Sequence, residues 1–395
     1  MTLFEPFRLP CGAVLRNRIV KAAMSDELGD GAGGTTAAQR RLYQRWAEGG
    51  AGLSIVGETQ IVATHPENCL NLLLAPMQDA AGLRALTERA TQAGASLWAQ
   101  LGHAGALAAP LGAPVKAPSA LSAEGVEAVA MTSEEIAALP AQFAAAARNA
   151  VAVGFTGVEV HAGHGFLLSQ FLSPLFNRRD DDWGGDAERR YRVVGRIIDA
   201  VRRAVGPKIP IGIKINATDQ LEGGVERADF LTTVGLLDRS SIDLIDISGG
   251  AYFPGAKAAS DGAAKGPYFL QAAEAARSLT RKPLMTVGGF KRLAQAQDAL
   301  ESGVVDLIGL ARALALDPDL PKGWAERGAD ADPSFPRFDD PPAGGITAWY
   351  TRRLAALAND RDGPAPSALD EAVKAVETAR DAASARWRAV HAASD

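Results

Sequence analysis

Eight short apolar runs, each followed by a longer amphipathic stretch, constrain the fold of this chain more than any other feature. The runs are 18–24, 52–57, 96–101, 156–161, 210–216, 243–248, 283–288 and 305–310. They read as apolar throughout rather than alternating, which is the pattern of strands buried on both faces. Between them, helix-like periodicity covers 37–48, 82–93, 133–153, 188–204, 227–238, 266–279 and 291–302, with Gly, Pro, Asp or Asn at most junctions. Thr132, Ser133, Glu134 and Glu135 provide capping groups and early acidic charge at one helix start. Strands alternating with helices argue a parallel sheet of the α/β class. Eight repeats argue closure into a (β/α)8 TIM barrel, with an open doubly wound sheet as the alternative.

The flanks differ in texture. Residues 4–15 carry Pro10 and Gly12 between apolar neighbours and are expected to form an N-terminal hairpin closing the barrel bottom. Residues 328–345 are rich in Pro, Asp and Gly. Residues 346–359 and 367–393 are Ala- and Arg-rich and are predicted to be helical, packed on the barrel or on a second copy. The expected organisation is a barrel over 1–325, a linker over 326–345 and a C-terminal helical extension over 346–395, through which a homo-oligomer is open.

Composition narrows the function. The 395 residues include 41 basic and 46 acidic side chains, with a net charge of −5 and no long run of either sign. That offers no electrostatic footprint for nucleic acid or an anionic membrane. No apolar run reaches the roughly 18 residues of a membrane helix, and residues 1–8 lack a secretory pattern. Cys11 and Cys69 stand far apart, so no thiolate metal site or iron–sulfur cluster is expected. The reducing cytoplasm is the expected location.

In a barrel of this kind, chemistry gathers at the C-terminal strand ends, and phosphate often sits after strands seven and eight. There the sequence places Gly288 and Gly289, then Ala311 and Arg312. Glycines let backbone N–H groups approach a phosphate, and arginine adds a bidentate fork; the bland reading is two turns and a surface arginine. The fourth run ends in His161 and His164, spaced to aim two imidazoles into the mouth as hydrogen-bond donors. No acidic or cysteine partner lies at ligand spacing, which disfavours a metal. Gln100 closes the third run, with His103 close behind. Lys214 lies inside the fifth, where a lysine is costly unless paired or functional; a snorkelling core lysine is the bland reading. Ser25 places a hydroxyl after the first. The glycines at 29, 31, 33 and 34 suggest a dinucleotide loop, but no acidic residue ends a second strand at the right distance, Glu58 being nearest.

These residues carry a broader pattern. The stretch HAGHGFLLSQFLSPLFNRRDDDWGG (161–185) resembles the central signature of the old yellow enzymes, the NADH:flavin oxidoreductases. LFEPF (3–7), LRNRIVKAAM (15–24), QLGHAG (100–105) and GGF (288–290) also match, and the likeness covers about residues 3–325. The resemblance implies non-covalent FMN, NAD(P)H as reductant and a small-molecule substrate of the enone type. By position, Ala23, Met24, Ser25, Gly57, Gln100 and Lys214 would line the flavin ring and ribityl chain. Gly288, Gly289, Ala311 and Arg312 would hold its phosphate, and His161 and His164 would bind the substrate carbonyl.

Three departures from the family pattern matter. Phe166 stands where the family commonly has a tyrosine proton donor, and Tyr252 is the best substitute because it follows a strand end. Ser25 replaces a common Thr or Cys, and Ala106 a common Arg. The expected reaction is reduction of the activated C=C bond of an α,β-unsaturated carbonyl compound. Without the usual donor, oxidation or double-bond isomerisation is the first alternative; a non-catalytic flavin protein and a metal-dependent barrel hydrolase are the others.

Overall fold

Each of the eight runs forms a strand: β1 (Ile19–Lys21), β2 (Leu53–Gln60), β3 (Ser96–Gly102), β4 (Gly157–Ala162), β5 (Ile211–Asn216), β6 (Leu244–Ser248), β7 (Leu284–Val287) and β8 (Leu307–Leu310). The structure is a computed structural model and describes residues 2–112, 114–123, 125–256, 266–363 and 368–391. Every neighbouring pair is parallel, and β1 pairs with both β8 and β2. The sheet therefore closes, which excludes the open alternative. The connecting helices include α1 (Ala37–Glu48), α2 (Ala80–Thr91), α3 (Ser133–Ala152), α4 (Leu167–Leu172), α5 (Ala187–Val205), α6 (Arg227–Asp238), α7 (Leu270–Arg277) and α8 (Leu293–Glu301). The capping box forms at α3: Thr132 Oγ1 accepts from the Glu135 N–H, while the Thr132 N–H donates to the Glu135 carboxylate.

The strands are buried on both faces, as their sequences suggested, but they are not apolar throughout. Side chains alternate along each strand. One set, including Ile19, Val56, Leu97, Val160, Ile213, Ile245 and Ile308, packs under the helices. The other set lies inside the barrel and changes character with height. At the bottom, Val20, Leu53, Ile55, Trp98, Leu244, Met285 and Leu307 meet Leu9 and Leu15 of the expected hairpin, Phe7–Arg8 paired with Val14–Leu15. Gly157 and Gly212 make room for the Trp98 indole; a Cβ there would lie 2.5 Å and 3.0 Å from its ring atoms. The bottom is thus a packed plug. Two residues further along each of the middle strands the interior turns polar, with Gln100, Glu159, His161, Lys214, Asn216, Asp246 and Ser248 all buried. Apolar runs hide this because each contributes only one or two polar residues.

Beyond β8, α9 (Arg312–Leu316) and α10 (Leu320–Arg327) lead into residues 328–345, where Phe335 and Phe338 pack against the main core. Two long helices follow, α11 (Gly345–Leu357) and α12 (Leu369–His391). Both lie on their own barrel. Trp349, Tyr350 and Leu354 of α11 join the main core, and Arg353 donates to the carbonyls of Ala315 and Leu316 at the end of α9. Trp387 of α12 packs against Cys69 and Leu73. Positions 367, 392 and 393 of the predicted last helix lie outside the described residues. Among the described residues no helix is long and apolar enough to cross a membrane.

Candidate active site

The mouth of the barrel is organised by the end of β4. His164 adopts a left-handed backbone (φ +60°), uncommon for a side-chain-bearing residue, and Gly165 continues it (φ +81°). The turn is tied down on two sides: the His164 N–H donates to Asn216 Oδ1 at 2.9 Å, and its carbonyl accepts from Tyr252 N at 3.1 Å. The ends of β4, β5 and β6 are thereby laced together. The result gathers four sequence-selected residues into one ring cluster. His161 and His164 lie 5.2 Å apart between centroids, Phe166 is 5.1 Å from His161, and Tyr252 is 6.0 Å from His164 and 5.6 Å from Phe166. Phe166 is buried in the wall, whereas Tyr252 is 66% exposed.

Burial decides the protonation of the two imidazoles. It drives His161 well below the ordinary histidine range, with His164 and Lys214 adding to the effect, and lowers His164 to about 3, with Lys214 contributing. Both rings are neutral near pH 7, each with one N–H to donate. The Gly163 N–H makes a long contact (3.4 Å) to His161 Nδ1, which leaves Nε2 to carry the proton. His164 Nε2 lies 2.8 Å from Ser248 Oγ. Among the described residues no three or more His, Cys, Asp or Glu gather at metal-binding spacing.

Beside the histidines, Ala23, Gly57 and Gln100 sit in contact across β1, β2 and β3. A Cβ on Gly57 would lie 2.6 Å from Ala23 Cβ and 3.0 Å from Gln100 Oε1. Gln100 Nε2 donates to Glu159 at 2.7 Å. Lys214 does not snorkel: it is buried and paired with Asp246. Burial works against its ammonium, yet Asp246 and Glu159 outweigh it and hold the lysine above its usual value. Met24 packs against the main core, and Ser25 Oγ donates to Asn71 Oδ1 at 2.9 Å.

Across the mouth, Val287 pairs in register with Gly309, so the ends of β7 and β8 leave the sheet side by side. Gly288 and Gly289 are left-handed (φ +102° and +83°), and a Cβ on Gly289 would lie 1.9 Å from the Gly266 carbonyl oxygen. Only glycine fits. Ala311 caps α9, whose first residue Arg312 lays its guanidinium 5.0 Å over the Tyr350 ring. A glycine cradle beside an arginine suits one phosphate, and a buried cation with polar partners suits a flavin ring, so these residues fit FMN. The glycines at 29–34 are occupied otherwise: Asp30 Oδ1 accepts from Ala32 and Gly34 N–H, and α12 covers Gly31. His103 stacks on His65 at 5.1 Å, and the Ala106 N–H is held by Gln170.

Glu159, Asp246, Asn216, Ser248 and Asn71 were not singled out in the sequence. The first four were within reach, since they stand two residues from His161, Lys214 or each other on the inward face of one strand.

Burial lifts the Glu159 carboxyl to about 7 against the pull of Lys214, with Asp246 adding. An acid raised in the folded state binds its proton more tightly there than when unfolded. Stability is therefore present at low pH and lost as pH rises from 4.5, the ordinary glutamate value, through about 7. In chemical denaturation the wild type should lose stability relative to Glu159→Gln across that window. A difference that stays flat with pH would contradict this.

Comparison with known proteins agrees with this geometry. Residues 2–330 match the model of the NADH:flavin oxidoreductase / NADH oxidase family. The NADH-dependent flavin oxidoreductase iliE of Neonectria sp. is 33% identical over 355 residues, covering 80% of this chain; the chain spans about half of that relative, 46%. The NADPH dehydrogenase of Halalkalibacterium halodurans is 34% identical over 313 residues, 79% of this chain and 90% of its own. The old yellow enzyme homologue from Zymomonas mobilis superposes with a TM-score of 0.73 at 25% identity, covering 83% of this chain and 93% of its own. The family implies FMN, with NAD(P)H as reductant. By its barrel, the residues at its mouth and this match over most of its length, the chain belongs to the NADH:flavin oxidoreductase / NADH oxidase family, the old yellow enzymes.

Proposed function

We propose that this protein reduces the activated C=C bond of α,β-unsaturated carbonyl compounds at the expense of NAD(P)H. The observation that carries the reading is the pair of buried, neutral imidazoles at the β4 mouth. Bound FMN would supply the redox chemistry, accepting hydride from NAD(P)H and delivering it to the alkene β-carbon. Gly288, Gly289, Ala311 and Arg312 would hold its phosphate. Ala23, Met24, Ser25, Gly57, Gln100 and Lys214 would line the ring and ribityl chain, with the Lys214 charge favouring the electron-rich reduced state.

His161 and His164 would each donate an N–H to the substrate carbonyl oxygen as negative charge develops there. One such donor is worth ~3–4 kcal/mol in a water-poor site. Because burial depresses both imidazoles, they serve as hydrogen-bond donors and not as proton sources. The proton for the α-carbon must then come from elsewhere. Phe166 has none to give. Tyr252 stands 5.6 Å from the Phe166 ring and is open to water, which can recharge it. A second reading follows from the same residue: with no donor at position 166, bound FMN would take hydride from a saturated substrate and pass it on to NAD(P)+ as the α-proton leaves to water, an oxidation, or would return hydride to a different carbon, an isomerisation.

His161→Ala and His164→Ala should each slow flavin reoxidation by an enone by ~10²–10³-fold, while flavin reduction by NAD(P)H is largely kept. Stopped-flow measurement of the two half-reactions decides this, and equal losses in both would assign the histidines to holding cofactor or nucleotide instead. For the proton, Phe166→Tyr should raise the single-turnover rate of reoxidation by enone and Tyr252→Phe should lower it. If neither variant moves that rate, proton delivery does not limit the reaction and Tyr252 is no donor.

A further inference from the structure

The family match ends at residue 330, yet α12, which lies beyond it, returns to the barrel mouth. Trp387 Nε1 donates to the Ala63 carbonyl at 2.9 Å, and His391 Nε2 lies 3.2 Å from the Ala32 carbonyl oxygen. About two turns before these anchors, Arg380 grips Glu27 with a bidentate pair, Nε to Oε2 at 3.0 Å and Nη2 to Oε1 at 2.5 Å. Glu27 follows β1, and its side chain is nearly buried, at 4% exposure.

From here a short chain of side chains leads into the site. Glu67 shares the neighbourhood of Glu27 and Arg380, and its Oε2 accepts from Asn71 Nδ2 at 2.9 Å. Asn71 is buried, and its Oδ1 accepts from Ser25 Oγ at 2.9 Å. An amide has a donor end and an acceptor end, so its orientation is set by what faces it. An ionised Glu67 can only accept. It therefore holds Nδ2 and turns Oδ1 toward Ser25, whose hydroxyl proton is committed to Asn71. A protonated Glu67 can donate to Oδ1 instead, turning the amide over; Nδ2 then faces Ser25 and frees the hydroxyl proton for another acceptor.

The electrostatics make this alternative accessible. Burial pushes the Glu67 carboxyl up to about 7, Glu27 adds to the rise, and Asn71 and Arg380 oppose it. The charged and titratable groups around it are Glu27 after β1, Arg380 on α12 with Glu377 beside it, and the Cys69 thiol on its own loop, itself under the influence of Arg388 on α12. Arg380 is the cation that acts on Glu67.

We propose that Arg380 is a positioning residue for the flavin site: clamped on Glu27 beside Glu67, it holds the Glu67–Asn71–Ser25 chain in place and so fixes the direction of the Ser25 hydroxyl. The proposal rests on the reading above that Ser25 lines the flavin ring. A hydroxyl that gives its proton to Asn71 leaves the ring without that donor. One that is released stabilises added negative charge and raises the reduction potential.

The test is a dye-equilibration measurement of midpoint potential on FMN-loaded wild type, Arg380→Gln, Arg380→Lys, Ser25→Ala and the Arg380→Gln/Ser25→Ala double variant. Arg380→Gln should raise the ratio of reduced to oxidised flavin at fixed potential roughly tenfold, the scale of one hydrogen bond to a charged group. The shift should be absent in the Ser25→Ala background, and Arg380→Lys should restore most of the wild-type value. A second arm needs no flavin. In infrared titration of the apoprotein, the carboxylic-acid band abolished by Glu67→Gln should appear at higher pH in Arg380→Gln than in wild type.

An equal potential shift in both Ser25 backgrounds overturns the proposal, as does a Glu67 band that Arg380→Gln leaves in place. If the band moves as expected but neither Ser25→Ala nor Arg380→Gln alters the potential, Ser25 does not adjoin the flavin, and the influence of Arg380 on the cofactor falls with that reading.

Discussion

A lysine inside a closed parallel barrel needs a partner, and the arrangement around Lys214 depends on how it gets one. The barrel interior admits little water, so an unpaired ammonium there would cost several kcal/mol. Strand register answers this by setting His161, Lys214 and Asp246 level with one another on adjacent strands, with Gln100 and Glu159 level one step below. Asp246 contacts the lysine directly, Glu159 adds its field, and Gln100 ties down Glu159. The polar layer is affordable because the hairpin and Trp98 have already filled the bottom with apolar side chains.

The histidines inherit their behaviour from this layer. They sit above a buried positive charge and under little solvent, two effects that both disfavour imidazolium. On the proposed function, a site assembled this way would stabilise negative charge on a ligand oxygen with neutral donors and would leave proton delivery to a group at the rim. Tyr252 occupies that rim, on a loop anchored through His164 and Ala251 to the end of β4. The same economy appears at β7 and β8, where close backbone approach around Gly289 leaves no room for a side chain and shapes the cradle beside Arg312.

The fold was legible because eight apolar runs with capped helices between them admit few closures, and the N-terminal hairpin announced itself through Pro10 and Gly12. The mouth residues were legible where a conspicuous residue type marked a strand end, as with His161 and His164, or interrupted an apolar strand, as with Lys214. Their partners were not, because Glu159 and Asp246 are single acids within apolar strands and only the two-residue alternation with their neighbours betrays them. Asn71, Glu67 and Arg380 lie 46, 42 and 355 residues from Ser25, and no local pattern links positions that meet only after the barrel has closed and α12 has folded back over it.

The central claim is that one FMN spans this mouth, with its ring against Lys214 and Gln100 and its phosphate between the ends of β7 and β8. A crystal structure of the FMN-loaded protein tests it most directly. The account expects phosphate density within hydrogen-bonding reach of Arg312 and the backbone of Gly288 and Gly289, and the pyrimidine edge of the ring beside Lys214, with His161 and His164 open above its face. Phosphate density at any other strand end, or a ring lying away from Lys214, would contradict it.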